Sequence, residues 1–452
     1  MLRNKYNFNY DKNMKTVDVL HENITKSLLS LFFPILICSI IQQLSSMINL
    51  ILVGNYMSSF ALGIIGGSAS MMVTLFTNPM VALISGSMVC VATAYGEKNT
   101  KKTNNAIFTS FVIIAIFTII YITIYEFFGT TILCAFNVPS SQIEDASFYI
   151  RFYSIGLIFF ALFQLTINIL RSIGNISFPN YILIISCILN ILLDILFIRI
   201  LKLNIIGICI SYFLTQSLSF VISFIYLYRS FTIKDSIFDK ECAKILFSVG
   251  VPAMIVSFIF AFTNMFVQGS INKLGENVVS AYAVFIRIEN FYWIAMTGVD
   301  FAVCTFISQN FGANNKTRIK KSMKPSITLA FIISIICFII FYLFNQQFVK
   351  LFITDTEIIN IASSILKYMA PMYFTYTIIE VLLAFFKGVN KAIIPTICNI
   401  ICVVCIRMGW LIFVVGKYPS WQMIQLCYPL SWLATSICYI IYYLFLRKRL
   451  FY

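Results

Sequence analysis

Residues 170–179 read LRSIGNISFP, and residues 386–395 read FKGVNKAIIP. Each places a basic residue second and a proline tenth, and the separations Arg171 to Lys387 and Pro179 to Pro395 are both 216 residues. The same offset links Gly96 in YGEKNTKKTNNAI (95–107) to Gly312 in FGANNKTRIKKSM (311–323). Pro34 and Pro252 differ by 218. One fixed offset across the chain marks an internal duplication, which has to be read before any single element.

What the copies contain is apolar. The chain has 452 residues, 60% of them hydrophobic and 11% charged, against roughly a quarter charged in soluble domains. A hydrocarbon crossing takes about 20 residues of helix. Read on that scale, the sequence predicts spans at 28–53, 61–95, 106–128, 147–170, 178–201, 205–228, 245–270, 277–311, 323–344, 361–386, 392–415 and 423–446. The second and eighth exceed a straight span, and Asn78-Pro79 is the expected kink in the second. Six helices per copy return each copy to the same membrane face, which makes the repeats parallel, related by an axis along the membrane normal. The expected fold is thus an all-α polytopic membrane protein of twelve transmembrane helices in two six-helix lobes with a pseudo-two-fold axis. Its segments are a polar leader (1–27), an N-terminal lobe (28–228), a linker RSFTIKDSIFDKECAK (229–244), a C-terminal lobe (245–446) and a short tail (447–452).

The formal charge of +15 does not argue for nucleic acid, which needs a basic face on a soluble fold. Most basic residues lie between apolar segments, densest in KNTKK (98–102) and KTRIKKSMK (316–324). By the positive-inside rule these loops and both termini face the cytoplasm of a cell membrane. Away from the span ends, the basic residues within the expected spans are Arg287, Lys367 and Arg407; Arg151, Arg199 and Lys324 lie within four residues of an end. The 13 cysteines are scattered through apolar segments, where they act as small hydrophobes; Cys402 and Cys405, with Cys398, read as packing. The one histidine, His21, lies in the leader, which argues against histidine catalysis or a histidine metal site. No phosphate loop, nucleophile motif or dinucleotide fingerprint is present.

Several stretches together resemble one family: QQLSSMINLILVG (42–54), ATAYGEKN (92–99), LRSIGN followed by LNILLDILFI (189–198), CTFISQNFGANN (304–315) and IIEVLLAFFKGVNK (378–391). Their order and the duplication resemble the multidrug and toxic compound extrusion (MATE) transporters of the MOP flippase superfamily, in the DinF-like bacterial branch. The resemblance implies two six-helix lobes around a cavity and alternating access. It also implies secondary active efflux of amphipathic, often cationic, drug-like molecules by Na⁺ or H⁺ antiport, with no cofactor.

Polar residues within the spans supply candidate sites. Asn190 and Asp194 are i,i+4 and share a helix face, and Asp194 lies roughly 10 Å below the outer end of its span. Gln42, Ser45, Ser46 and Asn49 form a stripe reaching similar depth. Such an oxygen-rich cluster suits Na⁺, and Asp194 suits proton exchange. The resemblance implies an aspartate where Asn49 stands and a threonine where Tyr212 stands, leaving one carboxylate where two are usual. Asp194 stays open between a coupling carboxylate and a hydrogen-bonded packing residue.

Glu380 on a face with Tyr373, Tyr376 and Thr377 is the repeat mate of Gln164, a cavity or gating residue or an interhelical hydrogen-bond partner. The resemblance would place a second cation site at Phe260 and Tyr376, where no carboxylate stands. Asp300 and Arg407 lie at compatible depths and read either as a pair that neutralise each other or as separate water-exposed groups. Phe258, Phe262 and Phe266, with Met254 and Met265, are pocket-lining or lipid-facing. Alternatives are a lipid-linked oligosaccharide flippase of the same superfamily and an intramembrane enzyme. The second is disfavoured because Asp194, Asp300 and Glu380 lie at different depths and in different lobes. The expected partners are a small molecule and membrane lipid, with the chain a monomer.

Overall fold

Lipid offers the backbone no hydrogen-bond partner, so apolar spans must satisfy it within helices. The computed structural model describes residues 16–57, 63–135, 138, 140–231 and 235–451. Twelve of its helices are long and apolar enough to cross a membrane. They are α1 (Ile24–Tyr56), α2 (Met72–Gly96), α3 (Thr100–Cys134), α4 (Ser140–Ser172), α5 (Ser177–Ile200) and α6 (Asn204–Ser230), then α7 (Lys240–Asn272), α8 (Glu276–Gly312), α9 (Lys316–Leu343), α10 (Thr356–Gly388), α11 (Ile393–Val415) and α12 (Trp421–Phe451). Each expected span falls on one of them. The helix at α2 begins at Ala69 and runs unbroken through Pro79. The wide turn Ile64–Ser68 precedes it, and residues 61–62 of the expected second span lie outside the described residues. Among the described residues the only strand-like pairing is an isolated bridge between Thr16 and Asn175.

The chain divides into two compact units. Unit 1 joins the residues up to Asp18 to Ile37–Met254, and unit 2 joins Val19–Leu36 to Ile255–Tyr452. The division cuts α1 and α7 two residues beyond the repeat prolines Pro34 and Pro252, whereas the sequence places the lobe boundary in the linker.

In unit 1 the most buried helices are α2 and α4, and in unit 2 they are α8 and α10. These are repeat mates, so the duplication also fixes which helices form each interior. Helix α4 packs on α2, α3 and α6. The hydroxyls of Tyr121 and Tyr125 on α3 tie it to α2 by donating to the carbonyls of Leu75 and Met72, at 2.7 and 2.8 Å. In unit 2, α10 packs on α8 and α12.

The turns are duplicated as well. Lys98 and Asn314 have φ of 56° and 54°, and Gly174 and Asn390 have 89° and 58°; each pair is 216 residues apart. Within unit 1 the leader docks on one of these turns, where Val17 N–H donates to the Gly174 carbonyl at 2.9 Å. A side chain at Gly174 would meet the Val17 carbonyl at 2.8 Å. Within unit 2, Arg318 donates to the carbonyls of Val19 and Glu22 at 2.9 and 2.7 Å.

Unit 1 also contains a close backbone crossing. A Cβ at Gly86 of α2 would lie 2.4 Å from the Leu246 carbonyl and 2.8 Å from Gly250 N, and one at Gly250 of α7 would lie 2.5 Å from the Leu83 carbonyl. Neither backbone can yield cheaply. Gly86→Ala and Gly250→Ala are each expected to destabilise the protein by about 1–3 kcal/mol, the usual range for overpacking. Thermal unfolding in detergent checks this, with Gly409→Ala, where a Cβ meets nothing within 4 Å, staying close to wild type.

Candidate functional site

Each unit encloses a cavity built from equivalent positions of the duplication. In unit 1 the stripe Gln42, Ser45, Ser46 and Asn49 on α1 faces α4, α5 and α6 across a cavity of about 320 Å³. Tyr153, Phe160 and Gln164 of α4, Asn190 of α5, and Tyr212, Thr215 and Gln216 of α6 complete the wall. The expected meeting of the two polar stripes is seen directly: Asn49 Nδ2 donates to Asn190 Oδ1 at 2.6 Å. Three buried oxygens of this wall, Asn49 Oδ1, Thr215 Oγ1 and Gln216 Oε1, have no hydrogen-bond partner. Unpaired buried acceptors are costly, and a hard cation takes oxygens of this kind.

Asp194 lies one turn along α5 from Asn190 and is 4% exposed. It does not line the cavity. Its Oδ1 accepts a hydrogen bond from the Ser211 hydroxyl of α6, a partner that the sequence reading did not name. Directly after Asp194 the helix widens, with Leu201 N–H reaching the Leu196 carbonyl at 2.9 Å. Tyr212 contributes a ring where the family resemblance leads one to expect a threonine hydroxyl. That ring stacks on Tyr153 at 4.0 Å and 16°. Gly156 makes room for it, since a Cβ there would come within 2.7 Å of Tyr212.

The cavity of unit 2 measures about 400 Å³. Phe260 and Asn264 of α7, Tyr282, Glu289 and Trp293 of α8, Tyr376 of α10, Arg407 of α11, and Tyr428 and Trp432 of α12 line it. Tyr376, Tyr428 and Trp432 are repeat mates of Phe160, Tyr212 and Gln216, and Phe260 and Asn264 of Gln42 and Ser46. At these five positions unit 1 carries two rings with Gln42, Ser46 and Gln216, and unit 2 carries four rings with Asn264. Trp293 meets Tyr376 and Trp432 with ring centroids 4.8 and 5.8 Å apart. Glu289 accepts a hydrogen bond from Tyr373 Oη at 3.2 Å, and Tyr373 is itself stacked on Tyr292 at 4.2 Å.

Glu289 is a site residue that sequence reasoning missed. A lone carboxylate within an apolar span is the signal that could have found it. Glu380 is buried at 8% exposure and stands behind the cavity wall. Its Oε2 accepts a hydrogen bond from Tyr376 Oη at 2.8 Å, so its observed link to the cavity is through that hydroxyl. Gln164, its repeat mate, lines the unit 1 cavity directly.

Asp300 and Arg407 do not pair. Asp300 Oδ2 lies 2.6 Å from Lys387 Nζ, with both side chains largely buried. Arg407 donates through Nε to Ser431 Oγ at 3.2 Å and lies over the rings of Tyr428 and Phe260, at 4.5 and 5.4 Å. Depth along a helix matched Asp300 to Arg407, but it does not fix which way a side chain points. The phenylalanine stripe is also outside the cavity: Phe262 and Phe266 are exposed, and Phe260 is the member of α7 that faces inward. The cysteines are free; Cys402 faces Cys438 with sulfurs 3.9 Å apart. Among the described residues no group of three or more His, Cys, Asp or Glu could hold a metal ion.

A duplicated, twelve-helix bundle with a cavity in each repeat defines a multi-pass membrane protein. The MatE family model matches residues 34–196 and 252–409, and the chain belongs to that family, whose members are transporters and not enzymes. The matches start on the two repeat prolines. Over 436 residues the chain is 24% identical to "Probable multidrug resistance protein YoeA" of Bacillus subtilis, covering 93% of this chain and 94% of that one. It is 23% identical to "Multidrug export protein MepA" of Staphylococcus haemolyticus over 76% of this chain and 77% of that one. Among solved structures it is similar to a MOP superfamily transporter from Pyrococcus furiosus, with TM-score 0.88 at 18% identity over 97% and 99% of the two chains. A MATE protein in its straight conformation gives TM-score 0.88 at 18% identity over 96% and 99%.

The Asp300–Lys387 contact carries a test. Removing one partner strands the other charge, at a cost of about 3–5 kcal/mol, while removing both is often neutral. Asp300→Asn is expected to lower the unfolding temperature in detergent sharply, and Asp300→Asn with Lys387→Met to recover most of the loss. A double variant no more stable than the single one would show that the pair is not what holds Lys387.

Proposed function

We propose that the chain is a secondary active multidrug exporter of the cell membrane, working by alternating access with both termini in the cytoplasm and as a monomer. A coupling cation, Na⁺ or H⁺, uses the unit 1 cavity together with Asp194. An amphipathic, ring-bearing organic compound uses the unit 2 cavity. Cationic compounds are served there by Glu289 and by the faces of Trp293 and Trp432, which attract positive charge. The names of the relatives support efflux of drugs as the activity.

One observation carries the reading: equivalent positions of the duplication line two cavities of similar size but different lining, the second richer in rings. The first is faced by unpartnered oxygens, with a buried carboxylate one turn away. The second is faced by rings, and pockets of this volume lined by aromatic side chains with a few polar groups suit drug-sized ligands. A lipid-linked oligosaccharide flippase calls for a strongly basic cavity, and among the residues lining these two cavities one is basic, Arg407.

The test is transport of a fluorescent aromatic cation in proteoliposomes under separately imposed Na⁺ and proton gradients. Flux is expected to follow one gradient, and Asp194→Asn to reduce the gradient-driven part at least tenfold with folding retained. Gradient-driven flux that survives in Asp194→Asn would make Asp194 a packing residue held by Ser211.

A further inference from the structure

Arg407 is 2% exposed and lines the unit 2 cavity. A guanidinium presents five N–H donors and is always charged. Here Nε alone is engaged, by Ser431 Oγ; the two terminal nitrogens make no hydrogen bond among the described residues. No carboxylate oxygen of the described residues lies within the 4.0 Å that makes an ion pair, although Glu289 lines the same cavity. Glu289 accepts instead from Tyr373. The rings of Tyr428 and Phe260 answer part of the positive charge but supply no oxygen acceptors for the fork of donors.

The charge is not an inherited device of the duplicated fold. The residue 216 positions earlier is Ile191, and the polar residue beside it, Asn190, is neutral and already paired with Asn49. The other deep basic pair of repeat mates is partnered, Lys387 by Asp300 and Arg171 by Asn180 Oδ1 at 2.8 Å. Arg407 is the exception, and its free donors belong to a residue of the cavity wall. Carboxylates, sulfonates and phosphates fit such a fork bidentately. Beside it, Trp293, Trp432 and Tyr428 form a ring-lined end.

We propose that the unit 2 cavity binds ring-bearing organic acids. The acidic group sits on the terminal nitrogens of Arg407, and the ring lies among Trp293, Trp432 and Tyr428. The ligand class therefore includes organic anions and zwitterions and is not confined to cations. This rests on the reading that the unit 2 cavity holds the transported compound, but its test needs no gradient and so fails or succeeds apart from coupled export.

The experiment is titration calorimetry of the full chain in a neutral detergent with two probes of one ring system, 2-naphthoate and 2-naphthylmethylammonium. Naphthoate is expected to bind at least tenfold more tightly than the ammonium. Arg407→Gln is expected to weaken naphthoate at least tenfold and leave the ammonium unchanged or tighter, with Arg407→Lys, which keeps the charge and loses the fork, between the two. Thermal unfolding establishes that each variant is folded. Should Arg407→Gln not fold, Arg407→Lys and the wild-type comparison of the probes decide. Equal or tighter binding of the ammonium, no binding of naphthoate, or wild-type naphthoate affinity in a folded Arg407→Gln would each overturn the proposal.

Discussion

Lys387 has one place to put its charge. It lies near the end of α10, is 7% exposed, and meets Asp300 of α8 at 2.6 Å. Those two helices are the most buried spans of unit 2, so the contact joins its two interior helices by an ion pair in a region where an isolated charge costs several kcal/mol. The rest of unit 2 is arranged around that commitment. With Asp300 engaged by Lys387, it is not available to Arg407, and the carboxylate that does share a wall with Arg407 is held by a tyrosine hydroxyl. Glu380 is held by a tyrosine of its own helix. The buried acids in contact here are thus each held by a named partner, and the guanidinium is left facing the cavity.

The equivalent place in unit 1 solves the same problem with a neutral group. Arg171, the repeat mate of Lys387, donates to the amide oxygen of Asn180, and the residue 216 before Asp300 is Ile84. A guanidinium tolerates this better than an ammonium, because its charge is delocalised and more weakly hydrated. The duplication thus preserved a buried cation at the start of each second-half turn while its counter-group diverged. The cavities diverged in the same manner. Gln216 became Trp432 in the second copy and Gln42 became Phe260, exchanging hydrogen-bonding walls for π faces without changing which backbone positions form the wall. Tyr212 and Tyr428 kept their type, and even here the partner changed: one stacks on Tyr153, the other lies under Arg407.

What the sequence made legible follows from what is local. Hydropathy is a property of consecutive residues, and membrane thickness is fixed, so all twelve spans could be placed from composition alone. The repeat could be found because its turns need particular residues: Gly174 and Asn390, with positive φ, sit in the very stretches that revealed the offset. The meeting of Asn49 with Asn190 was legible because both stripes obey the 3.6-residue period and reach the same depth. The partner of Asp300 was not legible, for a reason of one residue. The tenth span was ended at 386, which left Lys387 in a loop and excluded it from the intramembrane cations. Of the cations within the expected spans, rise along a helix matches Arg407 to the depth of Asp300. Rotation about the helix axis, which only packing fixes, sends the two side chains to different neighbours. Glu289 was not legible because its partner, Tyr373, lies on another helix, a contact that only packing fixes.

Periodicity also stops being a guide at the residue in question. Helix α5 keeps α-helical bonding up to Asp194 and then passes into the wide turn Ile195–Ile200, and α11 does the same at Leu411–Val415, where Gly416 N–H reaches the Leu411 carbonyl at 3.2 Å. Wide turns are rare and are frequently found at functional sites, and both copies keep one at the same offset. Arg199, inside that wide turn, has its guanidinium 5.3 Å from the centre of the Tyr56 ring, while Asp194 just before the turn keeps the face it shares with Asn190. The wide turn therefore separates two jobs on one helix: the cavity-facing amide and its carboxylate stay in register with each other, and the end of the span is free to anchor itself elsewhere. Asp194 is thus the last regular residue before the wide turn, held by the Ser211 hydroxyl of the neighbouring helix.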